Sequence, residues 1–130
     1  MAERPLRIMV VDDEPIVRKR LKTALEKTGD VVETFDDGKG ALERVEEQVF
    51  DIVVTDIKMD EVDGLEVLKR VLAKSAHTKV IIITGYATME VAREALADGA
   101  FDFIAKPFKP SELRVIIERA AKVLRGGQQP

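Results

Sequence analysis

Residues 80–84 read Val-Ile-Ile-Ile-Thr, with four apolar residues in an unbroken run. A strand with one face in solvent would alternate apolar and polar residues, whereas this pattern is typical of a strand buried on both faces of a parallel sheet. Residues 52–55, Ile-Val-Val-Thr, repeat the pattern. Together with the other short apolar runs, they predict five strands, at residues 7–11, 31–35, 50–55, 80–84 and 101–105.

Between these runs the apolar residues change to helical spacing. Leu65, Leu68, Val71 and Leu72 recur at intervals of three and four, as in an amphipathic helix packed on a sheet. Five strands that alternate with five such helices predict an α/β doubly wound parallel sheet of order 2-1-3-4-5, which binds ligands beyond the carboxyl ends of its strands. The other four stripes are Val17, Leu21, Ala24 and Leu25; Ala41, Leu42, Val45 and Val49; Val91, Ala92, Ala95 and Leu96; and Leu113, Ile116, Ile117, Ala120 and Leu124.

The length, composition and net charge of the chain limit the kinds of protein to which it can belong. Its 130 residues fit one domain, which we place at residues 1–125, with 126–130 as the start of a linker or a disordered tail. The absence of cysteine excludes disulfides and thiolate metal sites, and the net charge of −3 argues against direct nucleic-acid binding. We find neither a signal peptide nor an apolar run of membrane-spanning length, and therefore expect a cytoplasmic protein without membrane contact.

Chemically active residues lie at the carboxyl ends of the predicted strands. Asp12 and Asp13 follow the first strand, Asp56 follows the third, Thr84 ends the fourth and Lys106 follows the fifth. Clustered carboxylates repel one another unless a cation is present, and Mg²⁺ commonly takes one or two carboxylates, waters and a phosphate oxygen. The chemistry that fits is phosphoryl transfer to a carboxylate, with Asp56 as the nucleophile and with Lys106, Thr84 and Mg²⁺ binding the phosphoryl oxygens.

Four short motifs, in this order along the chain, also resemble a known family. They are Val-Asp-Asp-Glu at 11–14, Asp-x-x-Met-x-x-x-Asp-Gly at 56–64, Thr-Gly at 84–85 and Lys-Pro-Phe at 106–108. Over about residues 5–125, the chain resembles the receiver domain of two-component response regulators. It is similar in particular to receivers that precede an ATPase and a DNA-binding module in transcriptional activators.

The resemblance implies a role for each residue that matches a motif. Asp56 matches the phosphoacceptor, which takes its phosphoryl group from a phosphohistidine on a sensor histidine kinase. Asp12 and Asp13 match the acidic pair that holds Mg²⁺, together with Asp56 and the main-chain carbonyl of Lys58. Lys106 matches the invariant lysine of the family.

The resemblance also implies how phosphorylation is read out. Thr84 matches the switch hydroxyl, and Phe103 matches the switch aromatic on the face formed by helix four, strand five and helix five. This face would mediate homodimerisation or control of an effector. Lys58 and Tyr86 stand where side chains can screen the phosphoryl group from water, so we expect both to modulate its lifetime. Asp60 replaces the usual proline and is expected to leave its loop more mobile.

Three other interpretations can be weighed against this one. Taken alone, residues 12–14 also fit a solvated turn at a helix N-terminus. A hydrolase with an aspartyl-phosphate intermediate usually has a second aspartate two residues after the nucleophile, where this chain has Lys58. A flavodoxin-like cofactor binder calls for a Ser/Thr/Gly-rich first loop, which the acidic residues 12–14 replace. We therefore expect a signalling switch rather than an enzyme with a separate substrate.

Overall fold

The computed structural model describes residues 4–59, 61–85 and 89–126, which form five parallel strands alternating with five helices. The sheet order is β2-β1-β3-β4-β5, so the predicted doubly wound fold is confirmed. No helix in the described ranges is long and apolar enough to span a membrane. The strands are β1 (Arg7–Val11), β2 (Val31–Phe35), β3 (Ile52–Asp56), β4 (Lys79–Thr84) and β5 (Asp102–Ala105), and the helices are α1 (Pro15–Glu26), α2 (Gly38–Glu47), α3 (Gly64–Lys74), α4 (Met89–Ala97) and α5 (Pro110–Leu124).

The sheet separates two apolar clusters, one on each face. Successive side chains of a strand point to opposite faces, so Ile8 and Val10 of β1 pack with α1 and α5, while Met9 packs with α2, α3 and α4. Ile81 and Ile82 of β4 divide in the same way. Because both faces are covered, each strand needs apolar residues at consecutive positions, as the sequence pattern predicts.

The structure differs from the sequence predictions at several positions. The third strand begins at Ile52 rather than at residue 50, and it includes Asp56, which pairs with Ile83 of β4. Val49 and Leu96, which were predicted on buried stripes, are 52% and 38% exposed. Val49 lies beyond the end of α2 at Glu47, so the helical period no longer sets the direction of its side chain.

Asp51 ties β1 to the segment that enters β3. Its carboxylate accepts hydrogen bonds from the Arg7 main-chain N–H at 2.8 Å and from the Arg4 guanidinium at 3.0 and 3.2 Å. Burial alone would raise the pKa of Asp51, but the hydrogen bonds from Arg4 and from the Arg7 N–H hold this pKa below its ordinary value. The ionised carboxylate therefore contributes to the stability of the fold.

We expect Asp51→Asn to lower the free energy of unfolding by about 1 kcal/mol at neutral pH, because hydrogen bonds to a charged acceptor become weaker ones. Since the folded-state pKa is depressed, this contribution is fully present above the unfolded pKa and is lost as the pH falls through the folded value. Urea unfolding of the wild type and of Asp51→Asn at a series of acidic pH values measures this difference in stability. A difference that stays constant down to the lowest pH would contradict the prediction, and exposed Asp36→Asn is the control.

Candidate functional site

The three predicted acids meet at the carboxyl edge of the sheet. Asp12 directly follows β1, where its main-chain N–H donates to the Phe35 carbonyl at 3.1 Å, and Asp56 is the last residue of β3. One carboxylate oxygen from each of Asp12, Asp13 and Asp56 lies within 4.8 Å of the other two. Asp12 is fully buried and Asp56 is 8% exposed, whereas Asp13 is exposed. The site is therefore a half-enclosed acidic cluster.

Lys106 brings a cation into this cluster from β5. Its main-chain N–H donates to the Thr84 carbonyl at 2.7 Å, which holds the end of β5 against β4. Its Nζ lies 3.1 Å from Asp56 Oδ2, 3.1 Å from Asp12 Oδ2 and 2.5 Å from Glu14 Oε1. The sequence predicted that the two aspartates and Lys106 converge, but it did not predict the contact with Glu14.

The charges of this cluster influence one another. Burial raises the pKa of Asp12, and the Glu14 N–H and the Lys106 ammonium only partly offset this effect. Burial also opposes the charge of Lys106, but its contacts with Glu14, Asp12 and Asp56 outweigh burial and raise the pKa of Lys106. Lys106 therefore stays protonated, whereas burial makes ionisation of the Asp12 carboxylate unfavourable.

The donor set fits a divalent cation with a preference for oxygen. Asp12 Oδ2 is buried and accepts no hydrogen bond from any described residue, although Lys106 Nζ lies 3.1 Å away as an ion-pair partner. Asp56 Oδ1 accepts a hydrogen bond from the Lys58 N–H at 3.2 Å, while the Lys58 side chain is exposed. Carboxylate oxygens are the ligands that Mg²⁺ prefers, so the cluster can hold such an ion.

We expect Asp12→Asn to raise the stability of the metal-free protein by about 1 kcal/mol at neutral pH, since the change removes a buried charge. Because the folded pKa of Asp12 is raised, the cost is present above that pKa and disappears as the pH falls below the unfolded value. Excess Mg²⁺ should reverse the order of the two stabilities, because Asp12→Asn loses one of the proposed ligands and a bound ion would then stabilise the folded wild type more than the variant. Urea unfolding with EDTA and with Mg²⁺ tests both signs, and a variant less stable in EDTA would contradict the first.

The loop from β3 to α3 packs against the first residues of two helices, and both of these residues are glycines. The Gly64 N–H donates to the Ile57 carbonyl at 2.9 Å, and a Cβ on Gly64 would lie 2.5 Å from the Asp56 carbonyl oxygen and 2.6 Å from Ile57 Cα. A Cβ on Gly38, the first residue of α2, would lie 2.4 Å from the Val62 carbonyl oxygen. Glycine is required at both positions because the approaching atoms are rigid backbone.

The structure describes two of the four remaining predicted residues, Thr84 and Phe103. Thr84 is fully buried at the end of β4, and its Oγ1 donates to the next carbonyl along the chain at 3.0 Å. Phe103 is half-buried in β5 and packs against the apolar cluster on the α2–α3–α4 face. Tyr86 and Asp60 lie outside the described residues. The switch roles of Thr84 and Phe103 and the rate-modulating roles of Lys58 and Tyr86 stay predictions.

The face formed by α4, β5 and α5 carries charges of both signs. Glu90 and Arg93 of α4 form an exposed ion pair at 3.7 Å. Arg119 of α5 is ion-paired with Asp102 of β5, and its guanidinium lies 5.7 Å from the centroid of the Phe101 ring. Arg119 therefore links α5 to the first residue of β5 and to the residue before it.

The chain is similar in sequence to two bacterial regulatory proteins. It is 41% identical over 117 residues to the Regulatory protein AtoC of Escherichia coli, an alignment that covers 90% of this chain and 25% of AtoC. It is 36% identical over 115 residues to the Transcriptional regulatory protein FixJ of Bradyrhizobium diazoefficiens, covering 88% of this chain and 56% of FixJ. The chain thus spans about a quarter of AtoC and about half of FixJ.

Solved structures and a family match agree with the relatives. A response regulator receiver domain protein from Clostridium thermocellum superposes with a TM-score of 0.87 at 30% identity, covering 92% of this chain and 97% of that one. NtrX from Brucella abortus, solved with ADP, also gives 0.87, at 31% identity over 96% of this chain and 29% of NtrX. The family described as the response regulator receiver domain matches residues 8–118. The chain therefore belongs to the receiver domain family of response regulators.

Proposed function

We propose that this receiver domain is a switch that accepts a phosphoryl group on Asp56 from a sensor histidine kinase, with Mg²⁺ as the cofactor. The observation that carries the proposal is the setting of Asp56 at the end of β3. Its Oδ2 lies 3.1 Å from Lys106 Nζ, and its carboxylate shares a metal-capable cluster with Asp12 and Asp13. A nucleophile, a fixed cation and a metal site together are what phosphoryl transfer to a carboxylate requires.

Each described group has a defined part in the transfer. An oxygen of Asp56 forms a bond to phosphorus while the bond from phosphorus to the donor nitrogen breaks, and the electron pair leaves with the imidazole. A carboxylate nucleophile needs no general base, in keeping with a chain whose single histidine, His77, lies in a loop. Lys106 and the Thr84 hydroxyl bind the phosphoryl oxygens. Asp12, Asp13, Asp56 and the Lys58 carbonyl would hold Mg²⁺. The bound ion would neutralise the charge of the phosphoryl oxygens.

The output of the switch would be the α4-β5-α5 face. Reorientation of Thr84 and Phe103 would change this face, which we propose to mediate homodimerisation or contact with an effector. AtoC is named a regulatory protein and FixJ a transcriptional regulatory protein. These names support regulation, such as that of transcription, as the final output of the switch. The domain would act in the cytoplasm, on itself rather than on a separate substrate. Lys58 and Tyr86 would set how fast the phosphoryl group is lost to water.

Intact-mass spectrometry after incubation with acetyl phosphate tests the proposal. We expect a single phosphoryl adduct that forms with Mg²⁺ and not with EDTA. Borohydride reduction of the acyl phosphate, followed by peptide mapping, should place the modification on Asp56. An adduct that forms equally well in EDTA, or one that maps to another residue, would contradict the proposed mechanism.

A further inference from the structure

A third carboxylate shares the Lys106 ammonium with the two buried aspartates. The described hydrogen bonds of Lys106 Nζ go to Asp56 Oδ2 at 3.1 Å and to Glu14 Oε1 at 2.5 Å. Asp12 Oδ2 is equally near to Nζ, at 3.1 Å, but accepts no hydrogen bond from it. An ammonium has three donors, and one of them is directed at Glu14, whereas the equally near Asp12 Oδ2 receives none.

The backbone of Glu14 is fixed where its side chain can reach Lys106. Glu14 precedes Pro15, the first residue of α1; its N–H donates to Asp12 Oδ1 at 2.8 Å, and its carbonyl accepts from the Val17 N–H at 3.1 Å. An acid at a helix start often caps the backbone, but the Glu14 side chain makes no capping bond to the described part of α1. Its described side-chain contact is the one with Lys106.

We propose that Glu14 is a positioning residue that restrains phosphorylation of Asp56, an inference that rests on the function proposed above. A phosphoryl group brings negative charge and new acceptor oxygens to Asp56, and Lys106 has to turn its donors toward them. Glu14 opposes this step in two ways, since it holds one of those donors and its own charge repels the incoming group. The Glu14 side chain is 54% exposed, so solvent and salt screen the repulsion.

The reaction with acetyl phosphate isolates this effect. An oxygen of Asp56 forms a bond to phosphorus, the bond from phosphorus to the acetate oxygen breaks, and acetate leaves with the electron pair. Glu14 takes part in neither bond, so its removal changes only the surroundings of Lys106 and of the phosphoryl group. Glu14→Gln keeps the length of the side chain and an oxygen for Lys106, but it removes the charge.

We expect Glu14→Gln to raise the rate of adduct formation with acetyl phosphate and Mg²⁺ by about threefold to tenfold at low ionic strength. The gain should shrink as salt is added, because screening already weakens the repulsion in the wild type. A purely structural role would not produce this salt dependence. Glu43→Gln, an exposed change of the same charge on α2, is the matched control and should leave the rate unchanged.

The outcomes separate this inference from the proposed function. An adduct on Asp56 in both proteins, formed at equal rates or more slowly in Glu14→Gln, overturns the role of Glu14 and leaves the proposed function intact. No adduct in either protein overturns both. An adduct that forms only in Glu14→Gln supports the inference and means that Glu14 suppresses phosphorylation of Asp56 almost completely in the wild type.

Discussion

Asp56→Asn is expected to abolish the Mg²⁺-dependent phosphoryl adduct, with a rate at least about 100-fold below that of the wild type. The amide keeps the shape of the carboxylate at the end of β3, but it is a poor nucleophile and a poor metal ligand. Because Asp56 is nearly buried and packed, this isosteric change should leave the fold in place. Intact mass after incubation with acetyl phosphate and Mg²⁺ measures the loss.

The control for this loss is Asp98→Asn. Asp98 follows the end of α4 and is exposed, so the change removes the same charge from the chain without touching the acidic cluster. It should form the adduct at the wild-type rate. If Asp56→Asn reacted as fast as Asp98→Asn, the nucleophile would have to be another residue, and the assignment of Asp56 would be wrong.

Gly64→Ala is expected to lower the free energy of unfolding by about 3 kcal/mol, at the upper end of the cost of overpacking. The new Cβ would lie 2.5 Å from the Asp56 carbonyl oxygen and 2.6 Å from Ile57 Cα, and neither backbone atom can move without shifting β3 or α3. Because one of these atoms belongs to the proposed nucleophile, adduct formation should slow as well. Urea unfolding and the acetyl phosphate assay on the same preparation measure both effects.

Gly40→Ala is the matched control for this prediction. Gly40 lies in the first turn of α2, and the nearest atom to its added Cβ is the Asp37 side-chain oxygen at 3.1 Å, a capping atom that has to shift by only a few tenths of an ångström. Alanine is also the better helix former, so stability should stay within about 1 kcal/mol of the wild type. Equal stabilities of Gly64→Ala and Gly40→Ala would show that the close backbone approach at Gly64 is not obligatory.

The fold was predictable because its strands are buried on both faces. Residues 52–55 and 80–84 are apolar without alternation, and the structure covers both sides of them with helices. The convergence of Asp12, Asp56 and Lys106 followed from the same reasoning, since the carboxyl ends of parallel strands meet at one edge. Local pattern and topology were sufficient for these features.

Other features depend on contacts that no local pattern contains. The contact between Glu14 and Lys106 joins residues 92 positions apart and depends on side-chain reach rather than on periodicity. The extension of β3 to include Asp56 follows from pairing with Ile83, which a polar residue at the end of an apolar run does not indicate. Asp51 is similar: its carboxylate binds Arg4 and the Arg7 N–H across the sheet, although alone it resembles an ordinary loop residue.

The contact of Gly64 with the chain that follows Asp56 has a consequence for how this domain can diverge. The loop after β3 is anchored at its two ends by main chain on main chain, through Gly64 on Asp56 and Ile57 and through Gly38 on Val62. Ile57, Met59 and Val62 also pack into the apolar cluster on the α2–α3–α4 face, whereas the exposed Lys58 side chain takes no part in the main-chain contacts. Under the proposed function, an exchange of Lys58 would retune the lifetime of the signal while these main-chain contacts keep Asp56 in place, so that tempo and architecture would be inherited separately.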